Sequence, residues 1–339
     1  MHPFRVRGVT LDAMRALMLS NPNSTALTSQ VTRQVVTPLL EATELTSVFT
    51  QYSGHAEDIC GGLTREDVDV VVVVGGDGTV NEVINGLLGH DPESRPGPGE
   101  LPKIAVVPTG SANVFARALG LPNEPAAAAA QVRDLIVSDT YRRLPLGRVE
   151  DRWFCVNAGF GLDANVIALM EDLRDAGKSA TPWRYAMVTA TAWQRLRRRP
   201  PAITYAANSA EGLRTGSKVP FLIVSNTNPW TYAGPMAVVT NPEQKLDAGL
   251  SLYALRDIEG PGGLVALLHG AGIGNRVWRP LRVDLREIRV DDISELTLTS
   301  PRPLKWQVDG ESAGKTKKLR LSSHADVIDV VSPVDNDKV

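Results

Sequence analysis

The sequence predicts an α/β fold in two parts: an N-terminal doubly wound domain and a C-terminal antiparallel, β-sandwich-like domain. Three observations carry this. Strand-like and helix-like segments alternate over roughly the first 140 residues, the pattern of an open, mostly parallel sheet. The run Val70-Val71-Val72-Val73-Val74 is β-branched throughout, as in a strand buried on both faces. Beyond it, short strand-like pieces follow one another, separated by turn signals such as Gly260-Pro261-Gly262-Gly263, which suggests antiparallel β structure.

Taken in order, Arg15–Ser20 is a short apolar run read as a strand, closed by the turn cluster Asn21-Pro22-Asn23-Ser24. Leu27, Val31, Val35 and Leu39 recur every four positions, as on one helical face. Thr46–Thr50 reads as a strand, His55–Leu63 as a helix, Asp69–Val74 as the buried strand and Val80–Leu88 as a helix. Ile104–Val107 then reads as strand and Ala112–Leu119 as helix. The alanines at 126–130 add a helical stretch. In the second half, strands are expected at Trp153–Val156, Ala202–Ala206, Val219–Ser225, Leu250–Leu255, Leu285–Val290, Glu295–Ser300 and Leu319–Ser322. Helices are expected at Pro182–Arg199 and Gly263–Gly272.

The chain has 339 residues, 43% hydrophobic and 22% charged. That is enough for about two domains with a sizeable core and excludes wholesale disorder. Lys+Arg is 36 against Asp+Glu 38, a net charge of −2, so a global polyanion-binding surface and a nucleic-acid partner are not expected. The only cysteines, Cys60 and Cys155, exclude a disulfide framework and a cysteine-rich zinc site. They fit small apolar filler in a reduced, cytoplasmic setting. No run of about 18 apolar residues occurs, so no membrane-spanning helix and a soluble protein are expected.

The strongest local signal is Gly75-Gly76-Asp77-Gly78-Thr79, set between the buried strand and a helix. Three glycines let a backbone approach an anion and take positive φ. The free N–H groups at a helix start add positive potential. A plain turn needs one glycine, not three around an acid, so phosphate binding is favoured. Asp77 has three open roles: orienting a phosphate-bound Mg²⁺ through water, holding a ribose, or holding a loop amide. Thr79 either caps the helix or bonds a phosphate. A second loop, Pro108-Thr109-Gly110-Ser111, joins a strand to the helix opening Ala112-Asn113-Val114-Phe115. Taken alone, Ser111 is read equally well as an N-cap. Two such loops at the carboxyl ends of neighbouring parallel strands face one crevice, where open α/β sheets bind ligands.

Other motifs fail. Gly310-Glu311-Ser312-Ala313-Gly314-Lys315-Thr316 is one residue short of a P-loop and precedes a strand. Gly159-Phe160-Gly161-Leu162-Asp163-Ala164 matches a dinucleotide fingerprint but lies outside the strand–helix half.

GGDGTVNEVINGLLG followed by PTGSANVFARALGLP resembles the catalytic region of the diacylglycerol kinase/sphingosine kinase family, above all its soluble bacterial lipid kinases. SNPNS after the first strand, Thr50 with Gly54-His55-Ala56, Asn157-Ala158-Gly159-Phe160-Gly161-Leu162-Asp163 and Val308-Asp309-Gly310-Glu311 follow in the family's order. The resemblance spans roughly Arg15 to Val331 and is far more specific than GGDGT, which NAD kinases and phosphofructokinases share. It implies an ATP-binding α/β domain over 1–140, with 318–339 returning to it, and a β-rich lipid-substrate domain over 141–317, the active site lying between. It further implies that Gly75, Gly76, Asp77, Gly78, Thr79, Val80 and Asn81 hold ATP phosphates. Thr50, Gly110, Ser111 and Asn113 complete the nucleotide site, Glu311 is the general base, and Asp77 stands with it among the catalytic residues. Mg²⁺ would offset charge on the phosphates. A γ-phosphoryl group would then pass to a lipid hydroxyl, diacylglycerol being the leading acceptor. NAD kinase-like chemistry, sphingoid or other lipid acceptors, and a non-catalytic binding module are the alternatives.

Two departures stand out. Val114 replaces an acid found in many members. In Leu246-Asp247-Ala248-Gly249-Leu250 alanine holds the position of a structural Mg²⁺ ligand, and Asp247, one residue early, is the only stand-in. A lipid acceptor implies transient contact with a membrane surface. Trp183, Tyr185 and Trp193 with Arg195, Arg197, Arg198 and Arg199 form one candidate surface, equally readable as core aromatics with a solvated basic end. Leu264–Leu268 with Arg276, Trp278 and Arg279 form another. Trp230 and Tyr232 beside Gly234-Pro235 either line an acyl channel or simply pack. The oligomeric state stays open, a homodimer included.

Overall fold

The structure, a computed structural model, describes residues 14–22, 28–161, 190–191, 193–194, 196–233, 236–270 and 283–334. Ser24, Leu27, Leu162, Asp163, Trp183, Tyr185, Arg195, Gly234, Pro235, Arg276, Trp278 and Arg279, and with them much of two expected helices, lie outside these residues.

The first half runs β1 (Met14–Ser20), α1 (Ser29–Ala42), β2 (Thr43–Phe49), α2 (His55–Cys60), β3 (Val70–Gly75), α3 (Asp77–Leu88), β4 (Lys103–Pro108), α4 (Val114–Ala118) and α5 (Pro125–Val137). Its four strands are parallel, in the order β4-β3-β1-β2. The chain steps outward from β1 to β2, then returns across β1 to β3. Parallel crossovers are right-handed, so α1 and α2 fall on opposite faces, and α3 shares the face of α2. The packing agrees: α2 lies against α3, and α1 against α5. The strand order therefore reverses between β1 and β3, and the crevice expected there opens at Ser20 and Gly75, their carboxyl ends.

The second half runs β5 (Arg142–Val149), β6 (Arg152–Phe154), β7 (Asn157–Phe160), β8 (Ile203–Ser209), β9 (Gly212–Val219), β10 (Phe221–Ser225), β11 (Thr231–Ala233), β12 (Met236–Val238), β13 (Leu250–Leu255), α6 (Gly260–Gly270), β14 (Glu287–Val308) and β15 (Glu311–Val330). Its pairings are antiparallel apart from one: Val330 of β15 pairs in parallel with Ile104 of β4. The antiparallel strands thus belong to the same hydrogen-bonded sheet as the parallel ones, in the path β13-β10-β7-β14-β15-β4-β3-β1-β2. Only β11 and β12 pair apart from it among the described residues.

Two expectations need correcting here. Leu285–Val290 and Glu295–Ser300 are not separate strands: β14 is continuous over 22 residues, with Leu285 in the short 3-10 turn Val283–Arg286 before it. Leu319–Ser322 is a fragment of the 20-residue β15. Pro301 and Pro303 look like strand breakers in sequence. They sit where the β14–β15 register shifts between Thr299 and Leu304, an irregularity at which a missing N–H costs little.

Two main cores flank this junction. One fills the parallel half around Leu19, Val72, Ile104 and Phe115; the other fills the antiparallel half around Phe160, Leu252 and Leu298. β6 serves both, since successive strand side chains point to opposite faces: Trp153 enters the first core and Phe154 the second. Cys60 and Cys155 are buried in the first core, and burial pushes the Cys60 thiol up to about 12.

Candidate active site

The first glycine loop is shorter than its sequence suggests. Gly75 ends β3, Gly76 is the N-cap of α3, and Asp77, Gly78 and Thr79 form its first turn. None of the three glycines takes positive φ, contrary to that part of the expectation. Their role is close approach. A Cβ on Gly75 would stand 2.8 Å from Thr79 side-chain atoms, and one on Gly110 would stand 2.7 Å from the Gly76 Cα. The two loops therefore touch glycine against glycine, and any larger residue would separate them. No side chain caps α3, so its first-turn amides are not claimed by a capping group.

The second loop is held by Asn113, the N-cap residue of α4, in the left-handed region. Its Oδ1 accepts from the Gly110 amide at 2.8 Å, and its Nδ2 donates to the Gly110 carbonyl and to Asn123 Oδ1, each at 2.8 Å. Ser111 is thus not the cap and stays exposed at the loop tip. Of the three roles open to Asp77, the structure displays the loop amide: its carboxylate accepts from Val114 N at 2.9 Å and Phe115 N at 3.0 Å. The acid of one loop caps the helix of the other.

Beside the first loop lies a cavity of about 300 Å³, its walls including Asn21, Thr50, Gly78, Thr79, Glu82 and Glu311. Thr50 is buried in the wall, its amide donating to Ser20 O at 2.9 Å. Glu82 accepts from the amides of Gly54 at 2.8 Å and Ala56 at 3.1 Å, fixing the start of α2 at the cavity edge. Glu311 reaches in from the far end of the chain. Its Oε1 lies 3.5 Å from the point where a Cβ on Gly78 would sit.

The tip of the β14–β15 hairpin puts Glu311 there. Asp309 and Gly310 both have positive φ, and Asp309 anchors the turn from beneath. Its carboxylate accepts from the amides of Cys155, Val156 and Asn157, each at 2.9 Å, and from Asn81 Nδ2 at 2.8 Å. Asn81 also donates to Trp153 O at 2.9 Å. Val80, Asn81 and Asn113, expected at the nucleotide, are buried, while Thr50, Gly78, Thr79 and Glu311 line the cavity.

The Glu311 carboxyl is held above the usual glutamate range. Desolvation is the main cause; the Arg152 guanidinium pulls it down, and the charges of Glu82, Asp309 and Glu57 push it up. Glu82 and Arg152 were not singled out from the sequence. Their partners lie 26 to 28 and about 70 residues away, so no local pattern marks them. Asp247 is exposed in a turn, and no group of three His, Cys, Asp or Glu among the described residues is placed to hold a metal. Trp193 donates to Ile258 O at 2.8 Å and packs into a third core cluster. Tyr232 is buried under the Arg117 guanidinium, 3.3 Å from its ring centroid.

Two glycine loops thus meet glycine to glycine, with the Glu311 carboxylate beside the first of them, and comparison with known proteins supports a kinase. Residues 15–148 match the diacylglycerol kinase catalytic domain. The chain is 33% identical over 154 residues to a diacylglycerol kinase of Bacillus subtilis (strain 168), covering 43% of this chain and 46% of that protein. It is 27% identical over 336 residues to one of Staphylococcus aureus (strain bovine RF122 / ET3-1), covering 96% of this chain and 97% of that one. The chain thus spans less than half of the first relative and nearly all of the second. A solved diacylglycerol kinase from Bacillus anthracis str. Sterne shares the fold with a TM-score of 0.68 at 18% identity, over 96% of this chain and 99% of that chain. Residues 15–148 thus carry a diacylglycerol kinase catalytic domain, and the similarity to named diacylglycerol kinases supports a kinase. No described helix is long and apolar enough to cross a membrane.

Proposed function

We propose that this chain is an ATP-dependent lipid kinase that transfers the γ-phosphoryl group to a lipid hydroxyl, converting diacylglycerol to phosphatidic acid. The observation that carries the reading is the position of Glu311 Oε1 against Gly78, on the wall that also holds Thr50 and Thr79. It supports an acid and a phosphate cradle working on one reacting centre.

The segment 1–140, with 318–339 returning to it, is the nucleotide side in this reading. The cradles suit a triphosphate, because α3 opens at them without a side-chain cap and the missing glycine side chains leave room. Thr50, Thr79 and Ser111 supply hydroxyl contacts. The carboxylates of Glu57, Glu82 and Glu311 influence the same region and would repel a bare polyphosphate. Mg²⁺ fits that electrostatics, since it is commonly held by substrate phosphates and water with one or two carboxylates; it neutralises charge on the phosphates. Glu311 accepts the proton of the acceptor hydroxyl as that oxygen attacks the γ-phosphorus. The new P–O bond forms as the bond to the β–γ bridging oxygen breaks, and ADP leaves. Asp77 and Asn113 keep the loops in place, and Asp309 keeps Glu311 at its station.

The test is phosphorylation of a panel of lipids in micelles with Mg-ATP, with NAD as a soluble acceptor, and mass identification of the product. A phosphorylated diacylglycerol is expected. Transfer to NAD alone, or to no long-chain alcohol, overturns the reading. Glu311→Gln is expected to abolish turnover while ATP still binds.

A further inference from the structure

Two buried amides stand behind the turn that carries Glu311. Asn157 is the first residue of β7, and Gln307, near the end of β14, pairs with Gly159 of the same strand. Neither belongs to the cavity wall among the described residues, and both are buried. Their side chains form a chain of three hydrogen bonds that starts at the hairpin turn. Gly310 N donates to Gln307 Oε1 at 2.8 Å. Gln307 Nε2 donates to Asn157 Oδ1 at 2.8 Å. Asn157 Nδ2 donates to Trp230 O at 3.1 Å.

The direction of this chain is fixed at both ends. A backbone N–H only donates and a backbone C=O only accepts. Each side-chain amide therefore has one orientation, and turning either would set donor against donor or acceptor against acceptor. The backbone of Asn157 grips the same turn: its N–H donates to Asp309 Oδ1 at 2.9 Å, and its carbonyl accepts from Asp309 N at 2.8 Å. The far end is held too, since Trp230 N donates to Val238 O at 3.2 Å and Trp230 Nε1 to Gly270 O at 3.3 Å.

The hairpin does not need these amides in order to form. Val308 pairs with Glu311 across a two-residue turn. Asp309 and Gly310 have the positive φ and the residue types that such turns favour. Apolar side chains at 157 and 307 would fill the same space without burying polar groups. What the amides add is direction, because a fully satisfied buried network specifies one arrangement. The peptide whose N–H they hold, between Asp309 and Gly310, immediately precedes the one that leads into Glu311.

We propose that Gln307 and Asn157 are positioning residues for Glu311. They fix the plane of the Asp309–Gly310 peptide, and with it the aim of the Glu311 carboxylate at the acceptor hydroxyl. Asp309 ties the turn to the parallel half through Asn81; Gln307 and Asn157 tie it to the antiparallel half through Trp230. This inference rests on the reading of Glu311 as the general base. A displacement of about 1 Å at a reacting group costs on the order of a hundredfold in rate, so a freed turn shows in kcat.

The experiment compares the full chain with its Gln307→Met, Asn157→Ala and Gln307→Glu variants in phosphorylation of diacylglycerol in micelles, each also titrated calorimetrically with an ATP analogue. Gln307→Met keeps the side-chain length and removes both of its bonds. Its kcat should fall on the order of tenfold to a hundredfold, with affinity for the ATP analogue unchanged. Asn157→Ala should lose as much, and the two changes together little more than either alone, because they break one chain. Gln307→Glu is the conservative variant. When protonated, its carboxyl accepts from Gly310 N and donates to Asn157 Oδ1, as the amide does; when ionised, it has no donor. Its kcat relative to wild type should therefore be highest at low pH and fall as pH rises, while the ratio for Gln307→Met stays level. Wild-type kcat in Gln307→Met overturns the inference. So does a loss of kcat matched by an equal loss of ATP-analogue affinity, or a Gln307→Glu ratio that ignores pH. A wild type that phosphorylates no lipid removes the kinase reading and this inference with it; unaltered kcat in variants of an active enzyme removes this inference alone.

Discussion

Asn81 and Asp309, 228 residues apart in the chain, meet through a 2.8 Å hydrogen bond from amide to carboxylate. Asn81 is on the helix that opens at the first glycine loop, and Asp309 is two residues before Glu311. Their bond joins the cradle to the acid. Asp309→Ala would leave three neighbouring backbone amides and the Asn81 amide without their acceptor. A loss of about 3 kcal/mol in urea unfolding is expected, with Asn81→Ala costing less. The two should couple by roughly 1 kcal/mol or more in a double-mutant cycle. Turnover should fall in both variants beyond what the lost stability explains, because Glu311 loses its footing. Simple additivity would disconnect the two residues.

Gly110→Ala tests the contact between the loops. Its new Cβ would stand 2.7 Å from the Gly76 Cα and 2.9 Å from Asn113 Oδ1, so the loops must part. Nucleotide affinity is expected to fall at least tenfold, with the melting temperature changed by only a few degrees, on the order of 1 kcal/mol. Calorimetric titration with an ATP analogue reads this directly. Affinity equal to wild type would mean that the loops need not touch to bind phosphate.

The parallel half was legible in the sequence because its signals are local. Val70–Val74 and the glycines after it sit within ten residues of one another, and strand, loop and helix follow in order. The site's supports were legible only in part. A loop amide was one of the roles open to Asp77, and Asn113 bonds to Gly110 three residues away. Asn81 instead meets Trp153 and Asp309, which only the fold brings near. β14 and β15 were read as fragments because prolines, glycines and lysines interrupt their apolar alternation; pairing over a long hairpin and a register shift outweigh those local preferences. The family resemblance reached Glu311 where composition could not, since an acid in a glycine turn carries no mark of its function.

The raised Glu311 carboxyl sets a pH profile. A general base acts when deprotonated, so the acidic limb of kcat/KM should lie above the ordinary glutamate value of about 4.3. Removing a neighbouring negative charge with Glu57→Gln should move that limb to lower pH. Removing the opposing cation with Arg152→Met should move it to higher pH, since Arg152 lowers and Glu57 raises the Glu311 pKa. Displacements in the reverse directions, or a limb that ignores both, would take Glu311 out of the proton-accepting role.

Glu287 provides the opposite case, in stability. Buried among α6, β13 and β14, it accepts from Tyr253 OH at 2.8 Å, is paired with His269 Nδ1 at 2.6 Å, and is paired with Arg289. Burial alone would push its carboxyl up, but the hydrogen bonds from His269 and Tyr253 and the Arg289 charge hold it below the usual range. A carboxyl lower in the folded than in the unfolded chain contributes stability above its unfolded pKa and loses it as pH falls through the folded one. At neutral pH, Glu287→Gln should therefore cost on the order of 1–3 kcal/mol. The melting-temperature gap between wild type and variant should narrow as pH drops below about 4. A gap constant across that range would show that Glu287 is held by packing alone, with its charge contributing nothing to the folded state.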